Sequence, residues 1–90
     1  MDAGVWGRLS TAEGVDVTMH MRRVVCVKAL AAILVGRTGV CTAELKEQNI
    51  FAVWFDEPIV FNDPTTGNIM ALNWWTMEYG DRAHFALAEA

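Results

Sequence analysis

The segment Asn62-Asp63-Pro64-Thr65-Thr66-Gly67-Asn68 constrains this chain more than any other. Pro64 presets φ for a turn, Asn62 and Asp63 can bond nearby backbone through Asx turns, and Gly67 supplies a positive φ without steric cost. Apolar runs flank it on both sides. Ile50-Phe51-Ala52-Val53-Trp54-Phe55 is continuous and of strand length, the pattern of a strand buried on both faces. Asp56-Glu57-Pro58 breaks it, and Ile59-Val60-Phe61 reads as a second short strand. Residues 69–79 then return as a strand. A β-hairpin or meander is the expected result.

In the returning strand, side chains alternate between faces. Ile69, Ala71, Asn73, Trp75, Met77 and Tyr79 share one face, and Met70, Leu72, Trp74, Thr76 and Glu78 share the other. Both carry large apolar groups as far as Thr76. One or two helices of a small domain cannot cover both. The surplus face should meet another chain or line a pocket. Trp54, Trp74, Trp75, Met77 and Tyr79 are therefore the candidate binding or interface residues, acting as desolvated aromatic anchors. A homodimer or other homo-oligomer is the expected assembly, and a protein partner is the alternative. On this reading Trp75→Ala weakens an oligomer more than it lowers monomer stability.

The rest of the chain reads differently. Val24-Val25-Cys26-Val27 favours a strand, whereas the Ala- and Leu-rich stretch from Lys28 to Val35 favours a helix. One helix over 21–36, ending at Gly36, is expected, apolar round most of its circumference and so central and buried. A strand at 23–28 leading into a helix is the competing reading. Thr42 is placed to cap a short helix over 43–48, with Asn49 as its stop. Asp81 is placed to cap a C-terminal helix over 82–89, docked by Phe85 and Leu87. Residues 1–18 read as a loose arm holding Trp6 and a one-turn capping box, Ser10 to Glu13. The fold class is then α+β. A single small domain over 19–90 packs a central apolar helix on a short antiparallel sheet, with a short C-terminal helix.

A competing organisation starts from charge. Residues 1–43 hold five basic side chains against three acidic ones, and residues 44–90 hold two against eight. Eight of the nine aromatic residues fall in that acidic part. From Met19 or Met21 the chain resembles a secretory signal: Arg22-Arg23, the apolar core Ala29 to Gly36, and a small-residue site Cys41-Thr42-Ala43. Residues 19–43 would then be a signal peptide and 44–90 a small exported protein. Lys28 and Arg37 interrupt that pattern, and 47 residues without a cysteine fall below the size that usually folds alone. The cytoplasm is the expected location, and secretion or the periplasm the alternative.

Chemistry is sparsely marked. No run of eighteen apolar residues occurs, so no integral membrane segment is expected. The formal charge is −4, which disfavours a nucleic-acid partner. A faint helix-turn-helix pattern over 34–50 would carry Glu44 and Glu47 on its recognition helix, against phosphate. Asp56, Glu57 and Asp63 are hard oxygen donors but lack calcium-loop spacing, and read as turn and solvated groups. Cys26 and Cys41 could close one disulfide but read as buried thiols. Either could pair with His84 as nucleophile and base, with no local motif in support. No cofactor and no metal is called for. The sequence favours a non-enzymatic binding module. A small-ligand-binding domain or enzyme with an aromatic-lined pocket is the alternative.

Overall fold

A computed structural model describes residues 18–88. They form one antiparallel sheet of five strands in the order β4-β3-β2-β1-β5. The strands are β1 (Arg23–Cys26), β2 (Thr38–Leu45), β3 (Ile50–Asn62), β4 (Ile69–Met77) and β5 (Phe85–Leu87). A 3-10 helix, Tyr79–His84, leads into β5. The α+β expectation is overturned: strands make up 56% of the described structure and no helix reaches seven residues.

Each lost helix has a physical cause. Val24 and Val25 are β-branched, and β1 pairs on both edges, Val24 with Gly39 of β2 and with Leu87 of β5. Two ladders outweigh the few tenths of a kcal/mol per residue that separate ordinary helix propensities. After β1, residues 27–37 run as turns and bends. Ala31 takes a left-handed φ of 52°, and Leu30 and Ile33 exchange backbone hydrogen bonds of 2.9 and 2.8 Å. Ile33 of this stretch is buried in the core and Ala32 packs against it, while Leu34 and Val35 stay exposed. The competing reading held for its strand and failed for its helix.

The helix expected over 43–48 is replaced by the end of β2 and a turn. Asn49 closes that turn with φ 60° and donates its N–H to Lys46 O at 3.0 Å. Asn tolerates this conformation better than most residues. The expected C-terminal helix is replaced by the 3-10 helix and β5, and Cys26 pairs with Phe85.

The hairpin reading held in outline. Thr65 N–H donates to Asp63 Oδ1 at 2.8 Å, Asp63 N–H to Asn68 O at 2.8 Å, and Gly67 has φ 78°. Asp56-Glu57-Pro58 does not end the strand, however. β3 runs through it, and its register with β4 shifts between Trp54 and Ile59. A bulge accommodates the missing N–H of Pro58 without ending the strand.

One face of the sheet carries the core. Phe51, Val53 and Phe55 of β3 meet Val24, Cys26, Cys41 and Phe85, and Met19 and Ile33 close over them. Phe85 packs against Phe51 and Phe55 with ring centroids 5.4 and 6.2 Å away. Gly39 is required here, because a Cβ on it would lie 2.3 Å from Trp54 O. Residues from both the basic and the acidic part of the chain share this sheet: β1 is held between β2 and β5. The proposed arm over 1–18 lies outside the described residues except for Thr18.

Candidate functional site

The β-alternation of β3 and β4 separates the five sequence-predicted residues. Trp54 and Trp74 are direct cross-strand partners. Their row continues through Val40 of β2 to Arg23 of β1. These four positions share the face opposite the core, since paired residues in adjacent strands point the same way. Both tryptophans are 54% exposed. The Trp74 indole is fixed, not loose: its Nε1–H donates to Thr42 Oγ1 at 3.1 Å. Thr42 is the extra residue where the β2–β3 register shifts between Cys41 and Ala43. The bulge thus supplies an acceptor beside an open aromatic pair.

Trp75 and Met77 lie on the other face. They pair with Val53 and Phe51 and pack against the core. Trp75 meets Phe61 edge-on at 5.3 Å, and its Nε1–H donates to Leu72 O at 3.0 Å. Tyr79 has left the strand for the 3-10 helix, where the Arg82 guanidinium sits 5.4 Å from its ring centroid. The structure therefore brings Trp54 and Trp74 together and assigns Trp75, Met77 and Tyr79 to other surroundings.

Trp75 and Met77 border a cavity of about 500 Å³ together with Leu30, Ile33 and Ile50. Asn49, Glu78 and Asp81 give it polar groups. Sequence reasoning missed Leu30 and Ile33 as lining residues, because their Ala- and Leu-rich surroundings point to a helix.

Several ionisable groups have structural partners. Arg23 donates twice to Asp56, which also accepts from Thr38 Oγ1 at 2.7 Å. The Arg23 hydrogen bond, and after it that of Thr38, holds the Asp56 carboxyl below its ordinary range. Glu57 lies 3.6 Å from Arg37, and Asp63 serves its turn. Inside the protein, Glu44 pairs with Arg82 at 2.7 Å, both side chains nearly buried. The other Glu44 oxygen accepts Met19 N–H at 2.7 Å and Thr18 Oγ1 at 3.1 Å. This ion pair joins β2, the 3-10 helix and the start of the described chain. Sequence reasoning missed it, since nothing local marks Glu44 as buried.

Both cysteines are free and buried. Cys41 lies one residue past Val40, the partner of Arg23, whereas Cys26 lies three residues past Arg23 in the opposite direction along the ladder. That offset exceeds disulfide reach. Burial, and secondarily Glu44, pushes the Cys41 thiol up to about 11. Burial also raises Cys26, whose Sγ–H donates to Lys28 O at 3.2 Å. His84 Nδ1 bonds that same Lys28 oxygen at 3.0 Å. Thiol and imidazole thus meet at one carbonyl, without the thiol-to-imidazole bond an activated nucleophile needs. Among the described residues no group of three or more His, Cys, Asp or Glu side chains is placed to hold a metal ion. No helix among them is long and apolar enough to cross a membrane. The segment read as a helix-turn-helix, 34–50, holds β2 and turns.

Comparison with protein-family models, curated proteins and solved structures finds no match to this chain.

Proposed function

We propose that this chain is a small interaction module that associates with copies of itself through the aromatic half of its sheet. The single observation behind this is the Trp54–Trp74 pair, half exposed on a face that the described residues leave open. Taking roughly 250 Å² for a whole tryptophan, the pair keeps about 270 Å² in water. At about 25 cal/mol per Å², covering it contributes about 7 kcal/mol before the costs of association. Trp74 is also held by Thr42, so little side-chain freedom is lost on contact. The role first attached to Trp75 passes to Trp54 and Trp74, because Trp75 already packs on the core. Sedimentation velocity tests the reading. Wild type should dimerise with rising concentration, and Trp74→Ala should shift that equilibrium toward monomer. A wild-type monomer at millimolar concentration ends the proposal.

A second reading takes the cavity beneath β4 as a small-ligand site. Its volume of about 500 Å³ and its mixed lining suit an apolar molecule with a polar end. Trp75 fluorescence, isolated by replacing the other three tryptophans together, would change on occupancy.

A further inference from the structure

We infer that the free edge of β4 pairs antiparallel with β4 of a second copy, joining two five-stranded sheets into one of ten. This rests on the self-association proposed above and moves the contact from the face to the edge of β4, where Trp74 but not Trp54 meets the second copy.

An edge strand offers every second N–H and C=O to whatever lies beside it. β4 is the outermost strand on its side, nine residues long, and among the described residues no strand pairs with its far edge. Natural sheets protect such an edge with lysine, proline, a short strand, an inward charge or a bulge in the edge strand itself, and the extra residues of the β3–β4 register shift lie in β3. β4 has none of these: Ile69-Met70-Ala71-Leu72-Asn73-Trp74-Trp75-Thr76-Met77 holds no ionisable group and no proline. The opposite edge differs, since β5 is only three residues long.

Pairing of an edge with itself about a two-fold axis is antiparallel. An axis at Asn73, the middle residue, sets Leu72 against Trp74 of the second copy, and Ile69 against Met77. The nearest charge beyond the strand, Glu78, then lies beside the partner's Asn68 and not beside another acid. A chain with net charge −4 can approach its own copy along this line without like charges meeting in the seam. The seam is about 30 Å long in a sheet about 10 Å thick. With the exposed parts of Ile69, Leu72 and Trp74, two copies cover on the order of 1,000 Å², the lower end of specific interfaces. Micromolar affinity is the expected class.

The test is a single-cysteine scan on the whole chain, at Ala71, Asn73 and Thr76 along the edge and at Val40 on the open face. The native thiols are buried, so the introduced one reacts first. Disulfide-linked dimer should peak at Asn73→Cys, fall at Ala71→Cys and Thr76→Cys, and be absent at Val40→Cys. In parallel, Leu72→Lys should raise the dissociation constant at least about tenfold while the monomer keeps wild-type near-UV circular dichroism. Dimers that cross-link best at Val40→Cys overturn the edge seam and leave self-association through the face standing. Dimers unaffected by Leu72→Lys also overturn the seam. A wild-type monomer overturns both proposals.

Discussion

Replacing Glu44 by glutamine removes a charge from the interior and leaves its partner there. The Glu44 and Arg82 side chains are 9% and 8% exposed, 2.7 Å apart. Taking two such ions out of water costs several kcal/mol each, and their attraction with the bonds around them offsets it. The substituted amide keeps the volume and can still accept from Met19 N–H, so the backbone tie at 2.7 Å persists. What the change removes is the Glu44 charge from beside Arg82, whose guanidinium keeps its other contacts, the Tyr79 ring among them. Breaking one side of a buried pair costs about 3–5 kcal/mol. A domain of this size holds a total stability of about 5–15 kcal/mol, so Glu44→Gln should lose a large part of it. Arg82→Met should cost a similar amount, since it strands the carboxylate instead. Glu44→Leu with Arg82→Met removes both charges and should cost well below the sum of the single changes, with a coupling of about 2 kcal/mol or more. Urea unfolding followed by tryptophan fluorescence measures all three, with an unchanged slope as the check on two-state behaviour. Single losses under about 1 kcal/mol, or a double variant additive within about 0.5 kcal/mol, would refute the argument that the pair is desolvated and mutually dependent.

Gly39→Ala should destabilise the fold by about 2 kcal/mol or more, because the new Cβ meets Trp54 O at 2.3 Å and Phe55 Cα at 2.8 Å, both backbone atoms. Differential scanning calorimetry with a wild-type melting temperature would contradict it. The Asp56 carboxyl is lowered in the fold, so its contribution is present above its unfolded pKa and fades as pH falls through the folded value. Asp56→Asn should therefore be less stable than wild type at neutral pH, and the two should converge well below the ordinary carboxylate pKa of about 4. The gap should be small, because the pair is half in water. Cys26 and Cys41 should resist a thiol reagent at neutral pH and react on unfolding, since burial raises both. Fast labelling of the native protein would count against their placement. Mass spectrometry of the protein from each cell fraction should show a chain that retains residues 19–43, which supply β1 and most of β2; a fragment beginning at Glu44 would show the signal-peptide organisation instead.

What was legible in the sequence was local. The turn at 62–68 was readable because Asp63 and Gly67 act on their own neighbours. The bodies of β3 and β4 were readable from aromatic and β-branched density. The alternation of Trp74 and Trp75 was readable too, but not which faced the core, since two tryptophans give the pattern no sign. That depended on Phe51 and Val53 facing inward, a fact of partners in β3. Residues 21–36 looked helical because propensity is all a short window contains, whereas the first part of that stretch was decided by β1's ladders to residues far along the chain. Phe85-Ala86-Leu87 is too short to announce a strand, and its identity comes entirely from Val24, Val25 and Cys26. The Glu44–Arg82 tie was hidden for the same reason: its members are 38 positions apart in the sequence.

The placement of β5 has a consequence for synthesis. The strand that completes the β1 side of the sheet is the last one described, and it brings Phe85, whose ring touches both Phe51 and Phe55. Contacts this distant in sequence form slowly, after local hairpins. Until Phe85 has emerged, β2, β3 and β4 can assemble as a meander, but β1 has one open edge and the core lacks its phenylalanine cap. Closure of the sheet therefore follows the emergence of β5. A stalled chain ending before Phe85 should stay protease-sensitive along β1, and one extended by a linker long enough to clear the exit tunnel should not.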